Sequence, residues 1–147
     1  TLVRLNYAAE LRYGALLDIA QKVHAGEPVD LTTGNFNCIW QGDANSVVVR
    51  ALEIADSPPA VLNLTGPETL SVRRVAQQFG SLFGLEPVYS GEEAPTALLS
   101  NAGYCFRRFG YPRVPAQRMI EWTAHWVKIG GPTLNKPTHF ETRDGKF

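Results

Sequence analysis

Apolar positions along the chain fall into short runs of two kinds, and the alternation between them predicts its elements. Leu2-Val3-Arg4-Leu5 reads as a strand that Asn6-Tyr7 leaves. Pro28 to Leu31, Phe36 to Gln41, and Ala60 to Leu64 read as further extended stretches. Between them the period lengthens. Leu16, Ile19, Ala20 and Val23 predict a helix after Gly14 that Gly26 ends. Gly42-Asp43 opens another, with Asp43 as its cap and Val47, Val48, Ala51, Leu52 and Ala55 for burial, until Ser57-Pro58-Pro59 breaks it. The clearest pattern is Val72, Val75, Ala76, Phe79, Leu82 and Phe83, one face of a helix capped by Ser71 (or Thr69) and closed by Gly84.

Pro87-Val88-Tyr89 is extended and Ser90 to Glu93 a loop. Pro95 predicts a short helix over Thr96 to Leu99, and Ser100 or Asn101 caps another carrying Ala102, Cys105, Phe106 and Phe109. Pro115 starts a last helix with Met119, Trp122, Thr123 and Trp126 on one face, stopped by Gly130-Gly131-Pro132. The expected class is α/β: a small mixed sheet of short strands with flanking helices. No internal repeat, low-complexity tract or linker is visible.

Composition narrows the function classes. The chain has 147 residues, 44% hydrophobic and 19% charged, enough for one domain with a core. Lys+Arg and Asp+Glu stand at 14 each, so no net field favours nucleic acid or an anionic membrane. No apolar run is long enough to span a bilayer, and no signal peptide is present. Cys38 and Cys105 have neither metal spacing nor a disulfide framework, which points to a reduced, cytoplasmic setting. Thr1 stands first, so the chain reads as a piece of a longer protein or a processed product.

The search for chemistry is mostly negative. No G-x-G-x-x-G or Walker A loop offers backbone N–H groups to a phosphate. Asp43 puts a carboxylate at the one strand-to-helix turn where a phosphate would sit. A Tyr/Lys pair four residues apart is absent; only Tyr104–Arg108 has a cation, and arginine cannot give up its proton. That pair reads as a solvated face. His24 suits a helix C-terminus, and His125 lies beside the tryptophans. His139 stands in Lys136 to Glu141, part of a polar tail that can fold over a pocket, with Asp144 nearby but no serine or cysteine nucleophile beside it. Asn63-Leu64-Thr65 matches the glycosylation pattern, yet it ends a strand that should be buried. Gly80 within its helix reads as close backbone packing.

Four segments in order resemble the C-terminal half of extended short-chain dehydrogenase/reductases, the NAD-dependent epimerase/dehydratase family. Val3-Arg4-Leu5-Asn6-Tyr7 is similar to the family's strand and R-x-x-N-x-Y-G exit, one residue shorter. Asn37 to Asp43 is similar to its R-D-F-V-Y-V-D-D strand and helix. Val61 to Gly66 with Leu70-Ser71-Val72 resembles its Y-N-V-G-G … S-V unit. Phe109-Gly110-Tyr111-Pro112 and Ile120-Glu121-Trp122 through Trp126 resemble its closing L-G-W-x-P … W helices.

The resemblance implies that residues 1–147 are the substrate-binding C-terminal region, with 132–147 as a polar tail. The coenzyme-binding glycines and the Tyr-x-x-x-Lys pair would then belong to an absent N-terminal half. NAD or NADP is implied for the full-length protein, where that pair would take a hydroxyl proton as hydride passes to the nicotinamide. No cofactor is expected on this chain alone. Leu5 and Asn6 would border the coenzyme. Asn6, Tyr7, Trp40 and Gln41 would line the substrate, with His139 added from the tail; catalytic residues and metal ligands are expected to be absent. The family's diphosphate-binding arginines would fall near Phe36 and Ser90–Ala94, where no arginine occurs. That argues against a UDP-sugar, and keeps a smaller sugar or another carbonyl or hydroxyl substrate equally open. The resemblance also implies that Leu2–Leu5 has lost neighbours, so self-association is expected. The reading from another class is a freestanding binding module presenting Trp40, Trp122, Trp126 and the tail.

Overall fold

The structure is a computed structural model and describes residues 1–136 and 138–142. Strand β1 (Leu2–Leu5) lies parallel to β6 (Val61–Leu64), with Leu2 opposite Val61 and Leu5 opposite Leu64. Side chains alternate across this ladder. Leu62 and Leu64 point into a core completed by Ile39, Ala44, Val47, Cys105 and Phe109. Those residues come from β5 (Ile39–Trp40), α2 (Gln41–Arg50) and α4 (Gly103–Phe109). Leu2 and Val61, on the other face, are 55% and 44% exposed. Among the described residues β1 pairs with β6 alone, so its outer edge is open.

A second core joins three helices: α1 (Ala15–Ala25), α3 (Val72–Phe83) and α5 (Ala116–Lys128). Ile19, Ala20, Val23, Val75, Ala76, Phe79, Met119 and Ile120 interlock there. Removing Phe79 from water contributes about 2–3 kcal/mol. Ser71 caps α3 by accepting from Arg74 N at 3.3 Å, and Gly84 ends it in the left-handed region at φ 72°. Three further strand pairs stitch the loops: β2 (Ala8–Ala9) parallel to β5, β3 (Val29–Asp30) parallel to β8 (Tyr89–Ser90), and β4 (Asn35–Phe36) antiparallel to β7 (Leu70–Ser71). The α/β class is as expected, realised among the described residues as four two-stranded ladders rather than one sheet.

Several local expectations are corrected. Helix α2 begins at Gln41, so Asp43 lies inside its first turn and is not the cap. Its Oδ2 instead accepts from Val114 N at 2.9 Å, fixing the approach to α5. Thr96 to Leu99 forms no helix. The adjoining Ser100 backbone is held by the Asn37 side chain, which accepts from Ser100 N and donates to Ser100 O as a strand partner would. Asn101 Oδ1 takes Gly103 N, while the cap position of α4 falls to Ala102. Leu82 is 37% exposed, and on α5 the buried stripe is Met119, Ile120, Thr123 and Ala124, leaving Trp122 38% exposed. Gly80 is where the chain approaches closely, since a Cβ there would lie 2.5 Å from Leu85 O. No helix among the described residues is long and apolar enough to cross a membrane.

Candidate functional site

The carboxyl ends of β1 and β6 meet the segment that leads into β5, and asparagines occupy the junction. Asn6 leaves β1 with its N–H still donating to Leu64 O at 3.0 Å, so its side chain is set by the ladder. Asn6 Nδ2 donates to Asn37 Oδ1 at 2.6 Å and to Asn37 O at 3.2 Å. Asn37 is buried, and its Nδ2 donates to Ser100 O at 2.8 Å. From β6, Asn63 Nδ2 donates to Asn101 O at 3.1 Å. Three asparagines thus hold one loop over the strand ends. Beside it opens a cleft of about 310 Å³ lined by Asn37, Gly66, Thr69, Ser100, Asn101 and Phe106.

Tyr7 follows Asn6 in the left-handed region at φ 44°, and its carbonyl oxygen accepts from Ile39 N at 3.1 Å. Its ring meets Phe36 edge-on with centroids 6.5 Å apart. Burial raises the phenol pKa above 10.0, and the negative charge of Glu141 raises it further. The hydroxyl is therefore a donor at neutral pH, not a base.

The other expected site residues are not all brought here. Trp40, half-buried at the end of β5, packs edge-on against Trp122 at 5.3 Å. Gln41 is exposed as the first residue of α2. Leu5 is 50% exposed on the strand that carries Asn6. His139 is exposed in a separate cavity of about 430 Å³ along α1, with Arg12, Asp18, Lys22, Lys136 and Glu141. Asp18 there has its carboxyl pushed above 3.8, by burial first and by Glu141; bonds from Thr138 and the Lys22 charge oppose the shift. Pro137 and Asp144, named with His139 above, and the tail beyond Thr142 lie outside the described residues.

Cys38 and Cys105 are both buried free thiols. Burial, then Glu68, pushes the Cys38 thiol up to about 12. Among the described residues no group of His, Cys, Asp and Glu could hold a metal ion. Tyr104 and Arg108 are exposed. Thr65, the acceptor-pattern threonine, is wholly buried. Trp126 reaches the chain after α5, its Nε1 donating to Pro132 O at 3.1 Å. The residue the sequence reading missed is Asn37. Its signal was a polar side chain between Phe36 and Cys38 in an otherwise apolar stretch.

At the turn into α2, Asp43 is committed to Val114. At the turn after β6, the space beside Gly66 is taken by the chain itself, since a Cβ there would lie 2.1 Å from Cys38 O.

No family model matches the sequence, and no curated protein does. Solved structures do match. A UDP-glucuronic acid 4-epimerase from Bacillus cereus, in complex with UDP-glucuronic acid and NAD, superposes with a TM-score of 0.69 at 16% identity over 86% of this chain and 44% of its own. The Bordetella bronchiseptica enzyme WbmG with NAD gives 0.68 at 20% identity over 89% and 44%. A Thermus thermophilus UDP-glucose 4-epimerase with NAD gives 0.58 at 20% over 86% and 44%. This chain spans less than half the length of each. Its fold is that of a part of these structures, as the resemblance implied.

Proposed function

We propose that the chain is the C-terminal, substrate-binding portion of an NAD(P)-dependent epimerase, dehydratase or reductase acting on a sugar-like or small hydroxyl or carbonyl substrate. The observation that carries this is the asparagine junction at the carboxyl ends of the parallel β1–β6 pair, where open α/β sheets receive ligands. The amides of Asn6, Asn37 and Asn63 anchor the loop that walls the cleft. Asn6 braces this wall through Asn37, and in this reading Tyr7, Trp40 and Gln41 reach the substrate from beside the cleft and not from its lining. Leu5 and Asn6 border a coenzyme held by another half of the protein, and the open edge of β1 is where that half continues the sheet. His139 belongs to a neighbouring cavity and joins only through movement of the tail.

Likeness to an epimerase solved with UDP-glucuronic acid makes a sugar nucleotide the first substrate to try. The Ser90–Ala94 loop argues for a smaller one: it carries no arginine, and Arg73, which reaches it, pairs with Glu93 at 2.9 Å. The test is an amide NMR titration with sugars, UDP-sugars and NAD. Shifts at Asn6, Asn37 and Ser100 with a sugar ligand, and none with NAD alone, are expected. Turnover of any substrate by this chain with added dinucleotide would overturn the reading, as would silence at those residues across the whole panel.

A further inference from the structure

Residues Thr138–Thr142 pack where Tyr7 and Phe36 meet, Phe140 joining the helical core, and their ties to the rest of the chain are of one kind. Phe140 is buried with its ring centroid 6.0 Å from that of Phe36. On the next residue, Glu141 Oε1 lies 3.0 Å from Lys22 Nζ, and Thr33 Oγ1 donates to the Glu141 carbonyl oxygen at 3.2 Å. Asp18 Oδ2 accepts from both the N–H and the hydroxyl of Thr138. Every one of these ties runs through a side chain of the body. Among the described residues no backbone-to-backbone bond joins Thr138–Thr142 to the body. The bond from Thr142 N to His139 O, at 2.9 Å, closes the segment on itself. His139 sits at φ 53° to make that turn, a conformation disfavoured for a residue with a Cβ.

This is how a ligand is held: a ring on aromatic walls, with a few convergent polar groups fixing its orientation. We propose that Thr138–Glu141 is an internal occupant of a binding seat formed by Tyr7, Asp18, Lys22, Thr33 and Phe36. When the occupant leaves, the seat takes an external aromatic ring bearing a carboxylate at about the reach of the next residue. The seat adjoins the ends of β1 and β3, on the ligand-receiving side of the fold. A tethered occupant competes at an effective concentration of the order of millimolar. The intact chain therefore binds such ligands weakly, and loosening the tail uncovers the seat. All five seat residues lie within this chain, so the inference stands or falls apart from the coenzyme-binding half proposed above.

The probe is the blocked peptide acetyl-Thr-His-Phe-Glu-Thr-amide, titrated by calorimetry into the full chain and into its Phe140→Ala variant. The variant is expected to bind at least tenfold more tightly, and adding Lys22→Met is expected to take back at least fivefold. Glu141→Gln, which keeps the ring, gives an intermediate gain. Equal affinity for both chains, binding to neither, or a silent Lys22→Met overturns the proposal. So does a Phe140→Ala chain that no longer unfolds cooperatively, because Phe140 would then be core and not an occupant.

Discussion

Asn6 Nδ2 and Asn37 Oδ1 stand 2.6 Å apart, joining the residue that leaves β1 to a buried amide that also holds both backbone groups of Ser100. One side chain thereby fixes two loops against one strand end. Removing it leaves several polar groups without partners where water enters poorly, at about 1–3 kcal/mol for each group fully stranded. Asn37→Ala is expected to cost about 3 kcal/mol, and Asn6→Ala about 1 kcal/mol. Urea midpoints followed by circular dichroism measure both. An Asn37 variant no weaker than the Asn6 variant would remove Asn37 from its central role.

Asp18 gives a pH dependence whose sign follows from its burial. Its folded-state pKa is raised above 3.8, so between 3.8 and the folded value the native chain binds more protons than the unfolded one. Its contribution is complete below that window and is lost as pH rises through the folded pKa. The stability difference between the unaltered chain and Asp18→Asn is expected to move against the unaltered chain as pH climbs upward from 4. A difference flat with pH over that range would contradict the burial of this carboxylate.

Tyr7 reports on the tail. Burial holds its phenol pKa above 10.0, and the Glu141 charge adds to that. Glu141→Gln is expected to lower the pKa while leaving it above 10.0, since burial is the larger cause. Difference absorbance against Tyr7→Phe controls isolates this one phenol. An unchanged titration would mean that Glu141 does not stand near Tyr7 in solution.

At Gly66 and Gly80 a methyl group meets backbone. At Gly80 it would lie 2.5 Å from Leu85 O, and at Gly66 2.1 Å from Cys38 O. Gly80→Ala recovers about 1 kcal/mol of helix propensity against its clash. Gly66→Ala has no such offset, so it is expected to lower the melting temperature more. The reverse order would show that the turn after β6 has room to relax.

Leu2, Leu5 and Val61 leave an apolar, hydrogen-bond-competent edge on the β1–β6 pair. Such an edge recruits another strand. Light scattering at high concentration is expected to show self-association of the chain, weakened at least tenfold by Leu2→Lys. A monomer at every concentration would count against an edge that needs covering.

Local pattern was enough for the elements whose cause is local. The 3.6-residue spacing from Val72 to Phe79, the Ser71 hydroxyl and Gly84 specify α3 without reference to the rest of the chain. Leu2–Leu5, Val61–Leu64 and the order of the four resembling segments likewise sufficed for the α/β class. What only the folded chain decided has long-range causes. Asp43 looked like a cap until Val114, 71 positions away, claimed its carboxylate. Thr96–Leu99 carried a helical start signal, but next to it Ser100 is tied by Asn37, 63 positions away. Trp40 and Trp122 meet across β5 and α5, and His139 falls in a cavity along α1 that Asn6 does not line. Periodicity states which side of an element is apolar. Which distant polar atom will satisfy a buried group depends on where the chain returns, and that is settled only when both cores close.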